Sequence, residues 1–178
     1  MREFQKISCR DGETFTIAGM EFIKFPSKDG RTPAVMKNIV FRSRFGDSND
    51  LRSSPILKRL QDEFMPKLFA AIGEENVLTF KTDLTTLDGL KPYEDMESKV
   101  SLVTMEFYRK NVAIFDKYNP ETWWWLSTPE SAQPHGEPEW VLCVSPSGYI
   151  GNFHVSNNGN GVRPFYIFDS SIFESFEE

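Results

Sequence analysis

The side chains best suited to nucleophilic or metal chemistry are the only two histidines and the only two cysteines, which are His135, His154, Cys9 and Cys143. Cys143 with His154 could be drawn as a thiolate pair. Cys143 lies inside the apolar run 140–144, however, where a thiol usually behaves as a buried hydrophobic side chain. A zinc site needs three or four ligands, and no HExxH or CxxC spacing is present. We therefore predict a non-enzymatic protein without a metal or another cofactor.

The glycine-rich and acidic segments also lack the spacings of known sites. The sequence contains no GxSxG, Walker or GxGxxG motif, and the Asn/Gly segment 157–161 has neither a lysine nor a following helix. A loop that uses positive φ explains this segment better, with Asn158 near its tip. The acidic groups 94–97 and Glu137/Glu139 lack the spacing of a calcium loop. We interpret them as surface charge.

Aromatic residues offer a second kind of chemistry, which is binding. Four tryptophans fall within residues 123–140. On an alternating strand, Trp123 and Trp125 share one face and Trp124 takes the other, so at least one of them lies in the core. An exposed tryptophan is a common anchor at protein interfaces and a platform for sugars. Both uses stay open for Trp123, Trp125 and Trp140.

Arg163 is the only basic residue from Asn119 to the end of the chain. A guanidinium carries five donors, and burying it requires carbonyl or carboxylate acceptors. The first interpretation is that Arg163 joins loops of the fold together. Recognition of an anion is the alternative.

Charge is distributed unevenly along the chain of 178 residues, whose formal net charge is −6. Residues 1–70 hold 13 basic and 9 acidic side chains, whereas residues 71–178 hold 7 and 17. This balance argues against direct binding of nucleic acid, which needs clustered Lys and Arg. The acidic part either keeps the surface solvated or meets a basic partner, such as the nucleic-acid groove of another protein.

Length and composition predict one domain over residues 1–178. The N-terminus has no apolar leader, and no stretch approaches the roughly 18 apolar residues of a membrane span. We expect a soluble protein of the cytoplasm that does not associate with a membrane.

The first half of the chain contains signals for strands and short helices. Alternation and an Asp-Gly turn predict a hairpin with strands near 14–26 and 33–42. Ser54-Pro55 predicts the start of a helix that Pro66 interrupts and Gly73 ends. A short strand over 79–82, a surface segment over 82–99, a strand over 100–103 and a helix capped by Thr104 follow.

The last third is rich in strand signals. The tryptophan segment 123–129 leads into a polar loop that ends at Glu139. The runs 140–144 and 149–155 flank Ser145-Pro146-Ser147-Gly148, which predicts a hairpin with a four-residue turn. A final strand over 162–168 follows the Asn/Gly loop.

These signals, in this order, resemble a domain of unknown function found in Gram-positive bacteria of low GC content and in their phages. That family is marked by a Trp-Trp-Leu-Arg-Ser-Pro motif and a later Gly-Val-Arg-Pro motif, which correspond here to residues 124–129 and 161–164. The helix segment Ser-Pro-Ile-Leu-Lys-Arg-Leu at 54–60 and the strand at 100–103 also look similar. One position departs from the family pattern, because Ser127 replaces the arginine of the first motif.

The resemblance implies an α+β, C-type-lectin-like fold related to formylglycine-generating-enzyme-like domains. It implies a binding module that recognises a protein or a glycan through C-terminal loops and aromatic residues. The candidate contact residues are Trp123, Trp125, Trp140, Glu137, Glu139, His154, Asn158 and Arg163. The phage association gives the alternative, an anti-CRISPR-like inhibitor that uses an acidic surface to block the basic groove of a host defence nuclease.

Overall fold

The computed structural model describes residues 4–176, so both ends of the predicted domain, including Glu177 and Glu178, lie outside the described residues. The fold is α+β, as predicted, with two five-stranded sheets, a two-stranded sheet and four short helices. The strands are β1 (Thr14–Ile17), β2 (Met20–Lys24), β3 (Arg31–Met36), β4 (Phe41–Arg42), β5 (Phe80–Thr82), β6 (Met96–Ser98), β7 (Ser101–Leu102), β8 (Trp124–Pro129), β9 (Trp140–Val144), β10 (Ile150–His154), β11 (Gly161–Val162) and β12 (Pro164–Asp169). The helices are α1 (Pro55–Glu63), α2 (Met65–Ile72), α3 (Met105–Lys110) and α4 (Val112–Phe115).

The first sheet joins the two ends of the chain in the order β1-β2-β3-β12-β7. The predicted Asp29-Gly30 turn is confirmed, with positive φ at both residues. The predicted single strand over 14–26 is wrong, because Ala18 (φ 51°) and Gly19 (φ 76°) form a second tight turn that divides it into β1 and β2. Two successive positive φ values give the twist that a two-residue hairpin needs.

The second sheet has the order β10-β9-β8-β11-β4 and holds the tryptophan segment. The hairpin predicted over 140–155 is confirmed as β9 and β10, whose pairs run from Ile150–Val144 to His154–Trp140. The predicted final strand is divided at Arg163: β11 lies in the second sheet and β12 in the first. The chain therefore changes sheets at Arg163.

Two hydrophobic clusters form the core between the sheets and the helices. Alternation along the strands directs Trp125, Val141 and Cys143 into one cluster, together with α1 and α2. It directs Trp124, Leu142 and Val144 into the other, together with residues of α3 and α4. The second sheet is thus buried on both faces near its centre, and only its margins are available to a ligand.

The helix signals are confirmed where local chemistry specifies them. Ser54 Oγ accepts a hydrogen bond of 3.1 Å from Ile56 N at the start of α1, and α2 ends at Gly73 (φ 89°). Thr104 Oγ1 accepts from Phe107 N (3.1 Å) at the start of α3. The segment 82–99 differs from the prediction, because its end forms β6, which pairs with β5, and Leu84 and Met96 are buried.

None of the helices found within residues 4–176 combines the length and the apolar character that crossing a bilayer requires.

Candidate functional site

Arg163 is completely buried and joins three segments of the chain. Its Nε donates to the Met36 carbonyl (2.9 Å), and its Nη2 donates to the carbonyls of Lys37 (3.0 Å) and Tyr118 (2.9 Å). The guanidinium also lies over the Trp124 ring, 4.9 Å from its centroid. Burial lowers the pKa of Arg163 to about 10, so the side chain stays protonated at neutral pH. This geometry fits the loop-joining interpretation, and the prediction that Arg163 contacts a ligand is wrong because the side chain has no exposed surface.

The prediction that Trp125 belongs to a binding surface is also wrong. Trp124 and Trp125 are both 0 % exposed. Trp125 packs edge-on against Phe45 at 5.4 Å between ring centroids, and its Nε1 donates to the Ser43 carbonyl (2.9 Å). The segment before α1 therefore covers the Trp125 ring and accepts a hydrogen bond from its indole N–H. Alternation within one strand does not reveal such a cover.

Trp123 lies half-buried on one face of the edge strand β10. A Cβ at Gly151 would be only 2.9 Å from the Trp123 ring, so the ring rests directly on the backbone of β10. Phe153 packs edge-on against Trp123 at 5.0 Å, and Tyr149, which is 65 % exposed, lies at 6.2 Å. We call Trp123, Tyr149 and Phe153 the aromatic face of the β10 edge.

The opposite side of the hairpin carries Trp140, His154 and Glu139. Trp140, which is 40 % exposed, meets the His154 ring edge-on at 5.3 Å. His154 Nε2 lies 3.4 Å from a Glu139 carboxylate oxygen, and its Nδ1 lies 2.7 Å from Ser156 Oγ. The structure thus brings three of the sequence-predicted residues together at the end of the hairpin opposite its turn.

Asn152 and Glu130 extend this group along β10. The Asn152 side-chain amide donates to the Glu130 carboxylate, which holds that carboxylate beside the strand. The Glu130 amide in turn donates to the Trp140 carbonyl (3.0 Å). We call Glu130, Glu139, Trp140, Asn152 and His154 the polar face of the β10 edge.

The polar face carries uncompensated negative charge. No lysine or arginine among residues 4–176 forms an ion pair with Glu130, Glu137 or Glu139. The loop over residues 44–52 bonds to Pro138 and Val155 in this region. Its Arg44 and Arg52 pair with Asp47 and Asp50 at 2.9 Å each. These arginines are therefore engaged within their own loop.

The two remaining candidates lie at the margin of this region. Glu137 is exposed and accepts a hydrogen bond of 3.1 Å from Gln133 within the 130–139 loop. Asn158 is exposed in the loop that follows β10, where Asn157 Oδ1 accepts from Gly159 N (2.9 Å). The Asn157 amide donates to the His154 carbonyl, so this loop begins directly beside the polar face.

Cys143 and His154 do not form a pair. Cys143 is aligned with Gly151 and His154 with Trp140, which places the two side chains on opposite faces of the hairpin. Burial raises the pKa of the Cys143 thiol well above its usual value. Cys9 and Cys143 are both buried and free, and burial raises the pKa of Cys9 to about 11. Across the described part of the chain, three or more His, Cys, Asp or Glu side chains never converge as metal ligands would.

Asp88, Ser131 and His135 form a separate polar cluster. Asp88 accepts hydrogen bonds from Thr86 Oγ1 (2.6 Å) and Ser131 Oγ (2.7 Å), and His135 Nδ1 lies 2.9 Å from it. These hydrogen bonds hold the pKa of the Asp88 carboxyl well below its usual range. A serine nucleophile needs its hydroxyl bonded to the imidazole, but Ser131 bonds to the carboxylate instead. The cluster joins the 82–99 segment to the 130–139 loop.

Sequence reasoning missed four members of the β10 edge, which are Glu130, Tyr149, Asn152 and Phe153. A usable signal is present in Gly151, because a glycine inside a strand often marks the close approach of another group. Here that group is Trp123. Glu130 carries no local signal, since its position depends on pairing between β8 and β9.

Comparisons of the chain with protein-family models, with curated proteins and with solved structures give no match. The family resemblance drawn from the sequence therefore stays a prediction.

Proposed function

We propose that this protein is a non-enzymatic binding module that recognises a protein or a glycan through the β10 edge. The observation that carries the proposal is the pair Trp140 and Tyr149, which are 40 % and 65 % exposed on opposite sides of the same hairpin. Large exposed aromatic rings are favoured at binding surfaces, because they supply contact area with few rotatable bonds.

The surroundings of these rings support recognition rather than catalysis. The Trp140 ring is flanked by carboxylates and an imidazole, which supply hydrogen-bond acceptors and charge for a ligand. The thiol of Cys143 is protonated, buried and separated from His154 by the sheet. Trp125 and Arg163 are completely buried and lie outside this surface. The proposed contact residues are Trp123, Glu137, Glu139, Trp140, Tyr149, His154 and Asn158.

A C-type-lectin-like arrangement is part of the same proposal. The terminal strands share one sheet, and loops over 130–139 and 156–160 precede and follow the edge hairpin of the other. These features agree with a fold that uses loops for binding, although fold alone does not give function. A cytoplasmic location, in the host cell if a phage encodes the protein, stays a prediction.

The test combines a glycan array with an array of peptides. Each ligand retained by the wild type is measured again with Trp140→Ala and Tyr149→Ala, and we expect at least one of them to weaken binding about tenfold or more, as truncation of an anchor residue does. Phe176→Ala is the matched control, because Phe176 is an aromatic residue that is 39 % exposed and packs against Arg10, which precedes β1. Ligands that bind all three variants equally well would refute the proposed surface.

A second candidate function uses the charge of the same region rather than its aromatic rings. The uncompensated carboxylates Glu130, Glu137 and Glu139 would let the protein occupy the basic groove of a nucleic-acid-binding protein, as an anti-CRISPR-like inhibitor does. Such an inhibitor competes with nucleic acid and weakens as salt rises, since the Debye length falls to about 4 Å near 0.5 M salt. Inhibition of a defence nuclease that is unchanged in 0.5 M salt would exclude this charge-led mode.

A further inference from the structure

Strand β10 ends the second sheet with one side unpaired. It is bonded to β9 only, and it is five residues long, whereas β4 at the other margin has two residues. An open edge presents backbone donors and acceptors to which another extended chain can bond. The β10 edge is therefore a place where a partner could be held by its backbone as well as by its side chains.

The pairing register identifies the backbone groups that point outward. Ser145 N donates to the Tyr149 carbonyl (2.8 Å), and Val155 N donates to the Glu139 carbonyl (2.9 Å). Bonded and non-bonded pairs alternate in an antiparallel ladder, so residues 149, 151, 153 and 155 bond toward β9. Residues 150, 152 and 154 then direct their N–H and C=O groups away from β9.

Most of these outward backbone groups have no hydrogen-bond partner among residues 4–176. The His154 carbonyl accepts from Asn157 N (3.0 Å), which closes that end of the edge. The backbone groups of Ile150 and Asn152 form no hydrogen bond outside the β9–β10 ladder among residues 4–176. A short extended segment that lies alongside β10 could therefore form backbone hydrogen bonds with Ile150 and Asn152.

The side chains around this edge define what such a segment must carry. Glu130 is held over β10 by Asn152, and Glu139 by His154, so both carboxylates lie within reach of a long side chain on the next strand. The Trp140 ring beside them offers a face for a cation. On the other side, Tyr149 and Phe153 offer apolar contact.

We propose that the β10 edge binds an extended segment of a partner protein that alternates Lys or Arg with apolar residues. The segment adds a strand to the second sheet, with its basic side chains beside Glu130, Glu139 and Trp140 and its apolar side chains on the aromatic face. This proposal rests on the proposed function, because it assigns a partner and a binding mode to the same surface.

Charge argues against a second copy of this chain as the occupant. Two copies joined edge to edge would bring their Glu130 and Glu139 carboxylates together, and like charges on adjacent strands are destabilising. A glycan could use Trp140, but it would not use the backbone groups of Ile150 and Asn152. A basic strand satisfies the backbone, the charge and the apolar contacts together.

The test uses synthetic peptides of about nine residues, roughly the length of a strand with its flanks. The first peptide, which is the probe, alternates lysine and valine. The second peptide, which is the control for charge, alternates glutamate and valine. A third peptide has the lysine–valine sequence with every backbone amide N-methylated, which removes its donors on both edges. We expect only the unmethylated basic peptide to bind, and hydrogen exchange of the Ile150 and Asn152 amides to slow when it does.

Two variants at one position separate the backbone from the side chain. Asn152→Pro removes the outward N–H that β9 does not use, and proline is tolerated at such edge positions. Asn152→Ala keeps that N–H and removes the same amide side chain. We expect Asn152→Pro to weaken peptide binding about fivefold relative to Asn152→Ala. Glu130→Gln and Glu139→Gln should each weaken it about threefold at low salt.

The outcomes separate this proposal from the proposed function. If Trp140→Ala or Tyr149→Ala reduces binding of an array ligand while Asn152→Pro matches Asn152→Ala, the surface is correct and strand addition is wrong. Equal binding of the methylated and unmethylated peptides would overturn strand addition as well. A concentration-dependent dimer that Asn152→Pro dissociates would identify a second copy as the occupant and overturn the basic partner. If none of these variants changes any binding, both proposals fail.

Discussion

Arg163 lies where the chain passes from the second sheet to the first, and its side chain fixes that crossing. Three backbone carbonyls from two distant segments accept its hydrogen bonds, and the Trp124 ring lies beneath its charge. None of the carboxylates in the described residues forms an ion pair with it. The backbone carbonyls are therefore the main compensation for burying this cation. The contacts of this crossing with residues 36–37 and with Tyr118 in turn depend on the Arg163 side chain.

Replacing Arg163 with methionine is expected to destabilise the protein by about 3 kcal/mol. The change removes hydrogen bonds to a charged donor and leaves three carbonyls without their partner. Urea unfolding followed by tryptophan fluorescence measures the loss. Lys58→Ala is the control, because Lys58 forms an exposed ion pair with Asp62 and should change the free energy of unfolding little. A stability loss no larger than that of the control would contradict the assigned role.

The tryptophans show how far residue-level reasoning reaches. Alternation correctly predicts that Trp123 and Trp125 share a face, because side-chain direction is a property of the strand itself. It does not predict that Trp125 is covered and Trp123 only half-covered. The cover over Trp125 comes from Phe45 and Ser43, which are about eighty residues away in the sequence.

At the scale of elements, short-range signals were the more dependable ones. The caps at Ser54 and Thr104, the stop at Gly73 and the β9–β10 turn depend on neighbours within a few residues, and the structure confirms them. The turn at Ala18-Gly19 was missed, because alanine gives no warning of a positive φ. Strand β6 was missed because its partner β5 lies across a long polar segment.

Ser54→Ala is expected to destabilise the protein by about 1–2 kcal/mol. Ser54 Oγ caps α1 through Ile56 N and also donates to the Phe45 carbonyl, so its loss affects the helix and the segment that covers Trp125. Thermal unfolding followed by circular dichroism measures the effect. Ser53→Ala is the matched control, because Ser53 is exposed and precedes the cap. Equal melting temperatures for the two variants would show that the cap contributes little.

At the scale of the whole molecule, polar contacts between loops surround the proposed binding surface. Asp88 connects the 82–99 segment to Ser131 and His135 in the 130–139 loop. Asn49 connects the loop before α1 to the same region, since its side-chain amide donates to the Ser131 carbonyl (2.9 Å). Glu130 and Glu139 border this loop, so its position sets where their charges lie.

The Asp88 contacts predict a specific pH dependence of stability. The pKa of Asp88 is lowered in the folded protein, so its contribution is complete above the ordinary carboxyl value of 3.8 and is lost as the pH falls below it. The difference in melting temperature between wild type and Asp88→Asn should therefore be largest near pH 6 and should shrink below about pH 4. Leu87→Ala changes no titrating group, so its difference from wild type should stay constant. A constant difference for Asp88→Asn would contradict the prediction.

The sequence by itself determined that strands occur together with short helices, and it determined the caps and turns, the alternating faces of the tryptophan segment and the acidic character of the C-terminal half. Each of these follows from residue type and from spacing over a few positions. Only the tertiary structure decided that Arg163 and Trp125 are buried, and that Trp123 and Tyr149 lie on one face of the open strand β10 while Trp140 and His154 lie on the other. Burial and proximity depend on which distant segments pack together, and no local pattern encodes that choice.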